Sequence, residues 1–383
     1  MPARLLFIDN IRWSIILLVL SMHASDTYSP FGNWYYTDRP PLSLGERVFF
    51  ATYQSWLQAF FMALLFFVAA CFAPASCDRK GAVRYVRDRF MRLVVPTLLY
   101  MFVIGPLTEY YISRSWTGGG GFTQQWLEHV TDGEWVSGSG PMWFCLVLFA
   151  FCVVYAGTYA GTRLNPEAPS PSGRPVPSPV PSPLAVLAFI LAMALGTFVV
   201  RTFAPGSTSI LNVHPGDLPQ YGLMFAAGIL AGRGRWLEQP LPDAALSMTA
   251  GVLAAAGAIW VFIVMLAIAH PEDLARLDGG LNLLSALRCS WEALVCVGVS
   301  YALIAIYRKY FNEQGRVARF LSGNAFAVYL FHPPVIVVCA ILLRPVALPG
   351  PWKAGLLTLV AAVATFSWSS LLLRRIPYLR AVV

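Results

Sequence analysis

Apolar runs recur along the chain at roughly 8–27, 47–72, 90–112, 141–162, 184–201, 219–232, 245–269, 286–307, 324–343 and 352–373. A run of about 20 apolar residues, rising 1.5 Å per residue as a helix, crosses the ~30 Å hydrocarbon core of a bilayer. The pattern therefore predicts an all-α polytopic integral membrane protein of about ten transmembrane helices. The fifth and sixth runs are short, and the sixth, QYGLMFAAGILAG, is glycine-rich and reads as a tilted or re-entrant segment. Between the fourth and fifth runs lies NPEAPSPSGRPVPSPVPSP, a Pro/Ser stretch that cannot build a core. It reads as a cytoplasmic tether at 163–183, joining four helices (1–162) to six (184–383) within one membrane domain.

Charge sets the orientation. With the N-terminus in the cytoplasm, the inside segments hold 19 of the 27 Lys and Arg but only seven of the 19 acidic residues. That bias is the positive-inside rule, and it predicts that both termini are cytoplasmic. Apolar residues make up 57% of the chain and charged residues 12%, about half the ~25% of a soluble protein. The net charge of +8 would otherwise invite a nucleic-acid partner. Because the cations fall between apolar spans, topology accounts for them, and the expected surroundings are a lipid bilayer with no nucleic acid. The seven cysteines form no close CxxC pair, so neither a metal site nor a disulfide framework is expected. The N-terminus resembles a signal peptide, but Asp9 and Arg12 interrupt it; it reads as a retained first helix.

The chemistry concentrates at a few positions. In the first run, IDNIRWSIILLVLSMHAS, Arg12 and His23 are eleven residues apart. That spacing returns them to one helix stripe, about 16 Å apart along the axis. Ionisable groups in hydrocarbon are costly and mark sites; an anchor with a snorkelling Arg12 and a hydrogen-bonded His23 is the other reading. Asp26, one turn on, either fixes the imidazole tautomer or faces outer water. The aromatic outer loop DTYSPFGNWYYTDRPPLSLGER suits either an interfacial belt or stacking on a sugar.

Arg89 and Arg92, three apart at the start of the third span, and Arg87 just before them form a phosphate-binding pattern as readily as a topology signal. The outer segment 113–140, with four consecutive glycines, reads as non-helical in part and folded over the outer mouth. It leads through Gly140 and Pro141 to Trp143. In the ninth span, Tyr329 and His332 share a face ahead of Pro333–Pro334, where a kink frees carbonyls. His332 is either a partner of the first site or a residue that locks the kink.

Together, these landmarks resemble the acyltransferase family 3 membrane proteins, most closely the branch that includes glucan succinyltransferases. The resemblance rests on Arg12 and His23, on RFMR with Arg89 and Arg92, on GPMWF at Gly140–Phe144, and on AVYLFH ending at His332. It covers nearly the whole chain, which ends after the tenth span, so no appended esterase-like domain is expected. The resemblance implies an O-acyltransferase (transferring groups other than amino-acyl) of the bacterial cytoplasmic inner membrane. Acyl-CoA, acetyl or succinyl, is the implied co-substrate, with no metal. Its phosphates would lie on Arg89, Arg92 and Arg87 and its pantetheine arm past Arg12. His23 would act as general base on a hydroxyl of a carbohydrate or other exported acceptor, with Asp26 orienting it and Trp143, Tyr329 and His332 lining the substrate site. A secondary transporter of an amphiphile or organic anion is the alternative.

Overall fold

In the computed structural model of the protein, residues 5–32, 34–117, 121–136, 138–164, 178–210, 212–239 and 243–371 are described. The core of the predicted tether and the two chain ends lie outside them. The described residues are helical throughout, apart from loops and a single bridge between Ile210 and Val213. In chain order the helices are α1 (Leu6–Tyr28), α2 (Leu44–Cys71), α3 (Ala73–Lys80), α4 (Ala82–Arg89), α5 (Val95–Leu99), α6 (Gly105–Thr117), α7 (Phe122–Thr131) and α8 (Trp143–Leu164). They continue as α9 (Pro183–Phe203), α10 (Leu218–Gly234), α11 (Asp243–Ala269), α12 (Leu274–Asp278), α13 (Leu283–Tyr310), α14 (Arg316–Leu342) and α15 (Gly350–Leu371).

Nine helices among the described residues are long and apolar enough to cross a membrane. The predicted sixth span is α10, a helix of 17 residues. At 1.5 Å per residue it reaches about 25 Å, at the lower end of the ~17–25 residues that cross the ~30 Å core, so the predicted ten stand as nine long helices and one short one among the described residues. The third span departs from regular α geometry twice, with π-helical turns at Phe90–Val94 and Tyr100–Ile104 flanking α5. Proline explains both. Pro96 has no N–H for the Arg92 carbonyl and Pro106 none for the Phe102 carbonyl, so the register widens on the N-terminal side of each. The outer segment expected to be irregular contains α7, whose side chains answer this defect. Trp126 Nε1 donates to the freed Phe102 carbonyl at 2.8 Å, and His129 Nε2 donates to Met101 O at 3.1 Å.

The chain forms two compact units that interleave in sequence. The first comprises residues 1–58, 94–143 and 307–383. Here α1 packs on α14 and α15, burying Phe7, Ile8, Ile11, Ile15, Val19 and Leu20. Asn10 ties the start of α1 to the turn before α14, donating to Phe311 O at 2.7 Å and Glu313 O at 3.0 Å. At the other end, the loop after α1 is held by Asp38, whose N–H donates to Thr27 O and whose carboxylate pairs with buried Lys353 at 3.0 Å. Lys353 also lies over the Tyr28 ring.

The second unit comprises residues 59–93 and 144–306. In it α10 packs on α9 and α3. Gly228 and Gly232 bring the α10 backbone against the Phe67 and Cys71 carbonyls, where a Cβ would collide with either. Gln220 donates to Ala59 O at 2.7 Å, and Phe66 packs on Phe144 and Tyr221.

Candidate functional site

The first unit gathers four of the residues singled out in the sequence: His23, Asp26, Tyr329 and His332. Helical geometry places positions three apart on one face, so His23 and Asp26 meet one turn before α1 ends. The His23 Nδ1–H donates to Asp26 Oδ2 at 3.1 Å. Asp26 Oδ1 accepts from Gln54 Nε2 on α2 at 2.6 Å. Asp26 is 4% exposed, which decides against the outer-water alternative. Two donors converge on its carboxylate, and the bond to Nδ1 leaves the lone pair of the imidazole on Nε2. The loop after α1 turns back at Gly32, whose φ is +79°; a Cβ there would stand 2.5 Å from Asp26 Oδ1. Only glycine accepts that conformation with the carboxylate so close.

His332 is fully buried and stacks on His23 with ring centroids 5.3 Å apart. Helix α14 runs unbroken through Pro333 and Pro334, so the prolines do not end it. Pro333 cannot donate to Tyr329 O, and the His332 Nδ1–H takes that carbonyl at 2.7 Å. A carbonyl can only accept, so this bond fixes the tautomer and leaves an acceptor lone pair on Nε2. That buried nitrogen has no hydrogen-bond partner. The two readings of His332 thus merge: it satisfies the proline defect and lies against the first site. Tyr329, near the middle of α14 because that helix begins at Arg316, donates its hydroxyl to Pro141 O.

Pro141 belongs to the turn Gly140–Met142 that precedes Trp143, which opens α8 half-buried. Gly140 has φ +48°, and a Cβ would lie 2.5 Å from Tyr35 Oη and 2.7 Å from Tyr100 Cε1. Tyr100, from the second π turn, donates to Tyr35 at 2.9 Å. Burial pushes the Tyr35 hydroxyl up to about 12, so it stays protonated at physiological pH. Gly140→Ala is expected to lower the melting temperature of the purified protein, since left-handed strain costs about 1–3 kcal/mol before the clash is counted. An unchanged melt would mean that the Tyr35–Tyr100 pair yields.

Arg12 lies near the opposite end of α1, with 41% of its side chain exposed, 3.4 Å from Asp9. In the second unit, Arg89 is half-buried with its guanidinium over the Tyr85 ring at 5.1 Å, while Arg87 and Arg92 are exposed. Arg89 closes α4 and Arg92 sits in the π turn beyond it, so the two occupy different environments.

Sequence reading did not single out three features. Trp34 stacks on His23 at 3.9 Å with an interplanar angle of 14°, although its aromatic loop was noted. Gln54 is one of two amides, with Gln58, in the apolar run of α2, and a polar side chain there is itself a signal. The third is a charged network in the second unit. Arg201, 4% exposed, lies 2.7 Å from both Asp217 and Glu292, and Glu292 also pairs with Arg288 at 3.0 Å. An acidic residue in the apolar run SWEALVCV could have flagged it.

A multi-pass helical membrane protein with a partly exposed histidine paired to a buried carboxylate at one helix end has the parts for proton-coupled group transfer at a membrane. The chain belongs to the acyltransferase 3 family: the family model, an acyltransferase domain, matches residues 5–374. It is a membrane acyltransferase. No curated protein and no solved structure matches it.

Proposed function

We propose that the protein moves an acyl group, acetyl or succinyl, from acyl-CoA to a hydroxyl of an extracytoplasmic or exported acceptor, with a carbohydrate as the favoured class. The observation that carries this reading is the His23 Nδ1–Asp26 bond, backed by Gln54. It orients the imidazole so that Nε2 can take a hydroxyl proton and return it to the departing thiolate. The lone pair on His332 Nε2 suits a second substrate O–H or N–H, since a buried acceptor left unpaired is costly. Tyr329 and Trp143 complete the substrate-binding set through the Gly140–Met142 turn. Arg89 and Arg92, with Arg87, are the phosphate-binding side chains for CoA, and Arg12 lies along its pantetheine arm. The setting is the bacterial cytoplasmic membrane with both termini inside, and the glucan succinyltransferases are the favoured branch.

The test is binding of acetyl-CoA and succinyl-CoA to detergent-purified protein, wild type against Arg89→Ala/Arg92→Ala. Saturable binding to the wild type, weakened at least tenfold in the double variant, is expected, because each charge-assisted contact contributes about 1.5–3 kcal/mol. Folded protein that binds neither would turn the reading toward a transporter.

A further inference from the structure

Acyl transfer needs more than a base. As a hydroxyl oxygen adds to a thioester, the carbonyl oxygen gains a negative charge, and a preorganised donor aimed at it is usually the largest single contribution to the rate. Among the described residues, three side chains that stack on His23 or bond to Asp26 each carry a buried polar atom with no hydrogen-bond partner: His332 Nε2, Gln54 Oε1 and Trp34 Nε1. The first two are acceptors here. His332 has committed its N–H to Tyr329 O, and Gln54 Oε1 is a carbonyl oxygen whose amide partner serves Asp26. The indole N–H of Trp34 is the one donor among them.

Its placement is fixed from both sides. Trp34 lies parallel to His23 at 3.9 Å and to His332 at 6.2 Å, with interplanar angles of 14° and 13°, and edge-on to Tyr35 at 5.2 Å. Tyr35 is held by Tyr100, and the loop beyond by the Asp38–Lys353 pair. The stack alone would be served by phenylalanine, which has the same flat face. What phenylalanine lacks is the N–H. A buried indole N–H without a partner costs desolvation free energy, and a ligand acceptor would offset that cost.

We infer that Trp34 Nε1 is the oxyanion donor of the transfer reaction, a catalytic contact to the acyl carbonyl oxygen. The inference rests on the proposed acyl-CoA chemistry at His23. The acceptor oxygen bonds to the thioester carbon while its proton passes to His23 Nε2. The carbonyl π pair moves onto oxygen, where the Trp34 N–H meets it. Collapse restores the C=O, breaks the C–S bond and returns the proton from His23 to sulfur, giving the ester and free CoA thiol.

Two measurements test this. The first is the infrared carbonyl band of acetyl-CoA and succinyl-CoA, carbon-13 labelled at the thioester carbonyl and bound to detergent-purified protein without acceptor, so that the His23 stack is kept and transfer has no destination. A donor polarises the bond, so the band is expected below that of the free thioester in the wild type and back at the free position in Trp34→Phe. The second is label transfer from either acyl-CoA to endogenous acceptors in membrane vesicles of the producing cells. Trp34→Phe is expected to lower kcat by about 10²–10³-fold with KM unchanged. A bound but unshifted thioester in the presence of Trp34, or full kcat in Trp34→Phe, overturns the role of Trp34 and leaves the base at His23 standing. Failure of both acyl-CoAs to bind folded protein overturns the donor reading, and the oxyanion assignment falls with it.

Discussion

His23→Ala is expected to lower acyl transfer by about 10²–10⁴-fold, the usual contribution of a positioned general base. Asp26, itself held by Gln54, orients His23 through Nδ1 and so sets the tautomer the proposed reaction needs. Alanine removes the imidazole and leaves Asp26 with the Gln54 donor alone, which keeps the carboxylate from being stranded. The helix itself should persist, because α1 is held by its apolar face against α14 and α15 and by the Asn10 bonds at its start. The check is the rate of label transfer from acetyl-CoA or succinyl-CoA in membrane vesicles, beside the melting temperature of the same purified variant. Undiminished transfer by folded His23→Ala protein would remove His23 from the chemistry.

The largest effect on stability is expected at Arg201, far from His23 in sequence. Its guanidinium is held by Asp217 and Glu292 with only 5% of the side chain accessible. Removing one partner of such a buried group leaves the others uncompensated and costs about 3–5 kcal/mol. Arg201→Ala strands two carboxylates, of which Glu292 keeps Arg288 and Asp217 keeps the hydroxyl of Tyr221 at 3.4 Å. The variant should lose most of its folded yield or melt far below the wild type. Arg201→Ala combined with Glu292→Gln and Asp217→Asn should recover part of that loss, because the amides carry no charge. A single variant that melts like the wild type would show that water already screens the network.

How much of this was legible beforehand differs from element to element. The span count came from run length, because backbone satisfaction in hydrocarbon admits little besides helices. The short span is α10, whose run was visibly short, and its 17 residues lie at the lower limit of the ~17–25 that cross a bilayer. The prolines were visible too, yet their consequences were not. Pro96 and Pro106 accompany π turns in the third span, whereas Pro333 leaves α14 continuous, and different side chains reach the freed carbonyls. His129 and Trp126 do so for one defect and His332 for another.

The sequence by itself determined that this is a helical membrane protein with an ionisable stripe on its first helix, and it carried the family landmarks. Those are local properties: periodicity, run length, and the spacing of His23 and Asp26 along a single helix. Tertiary structure alone decided that Gln54 from α2 completes the carboxylate, that Trp34 lies flat on His23, and that His332 on α14 stacks against it, because such contacts join residues tens to hundreds of positions apart. It also decided the tautomers. Which imidazole nitrogen keeps its lone pair depends on the acceptor the other one meets, and no spacing rule in a single chain specifies that.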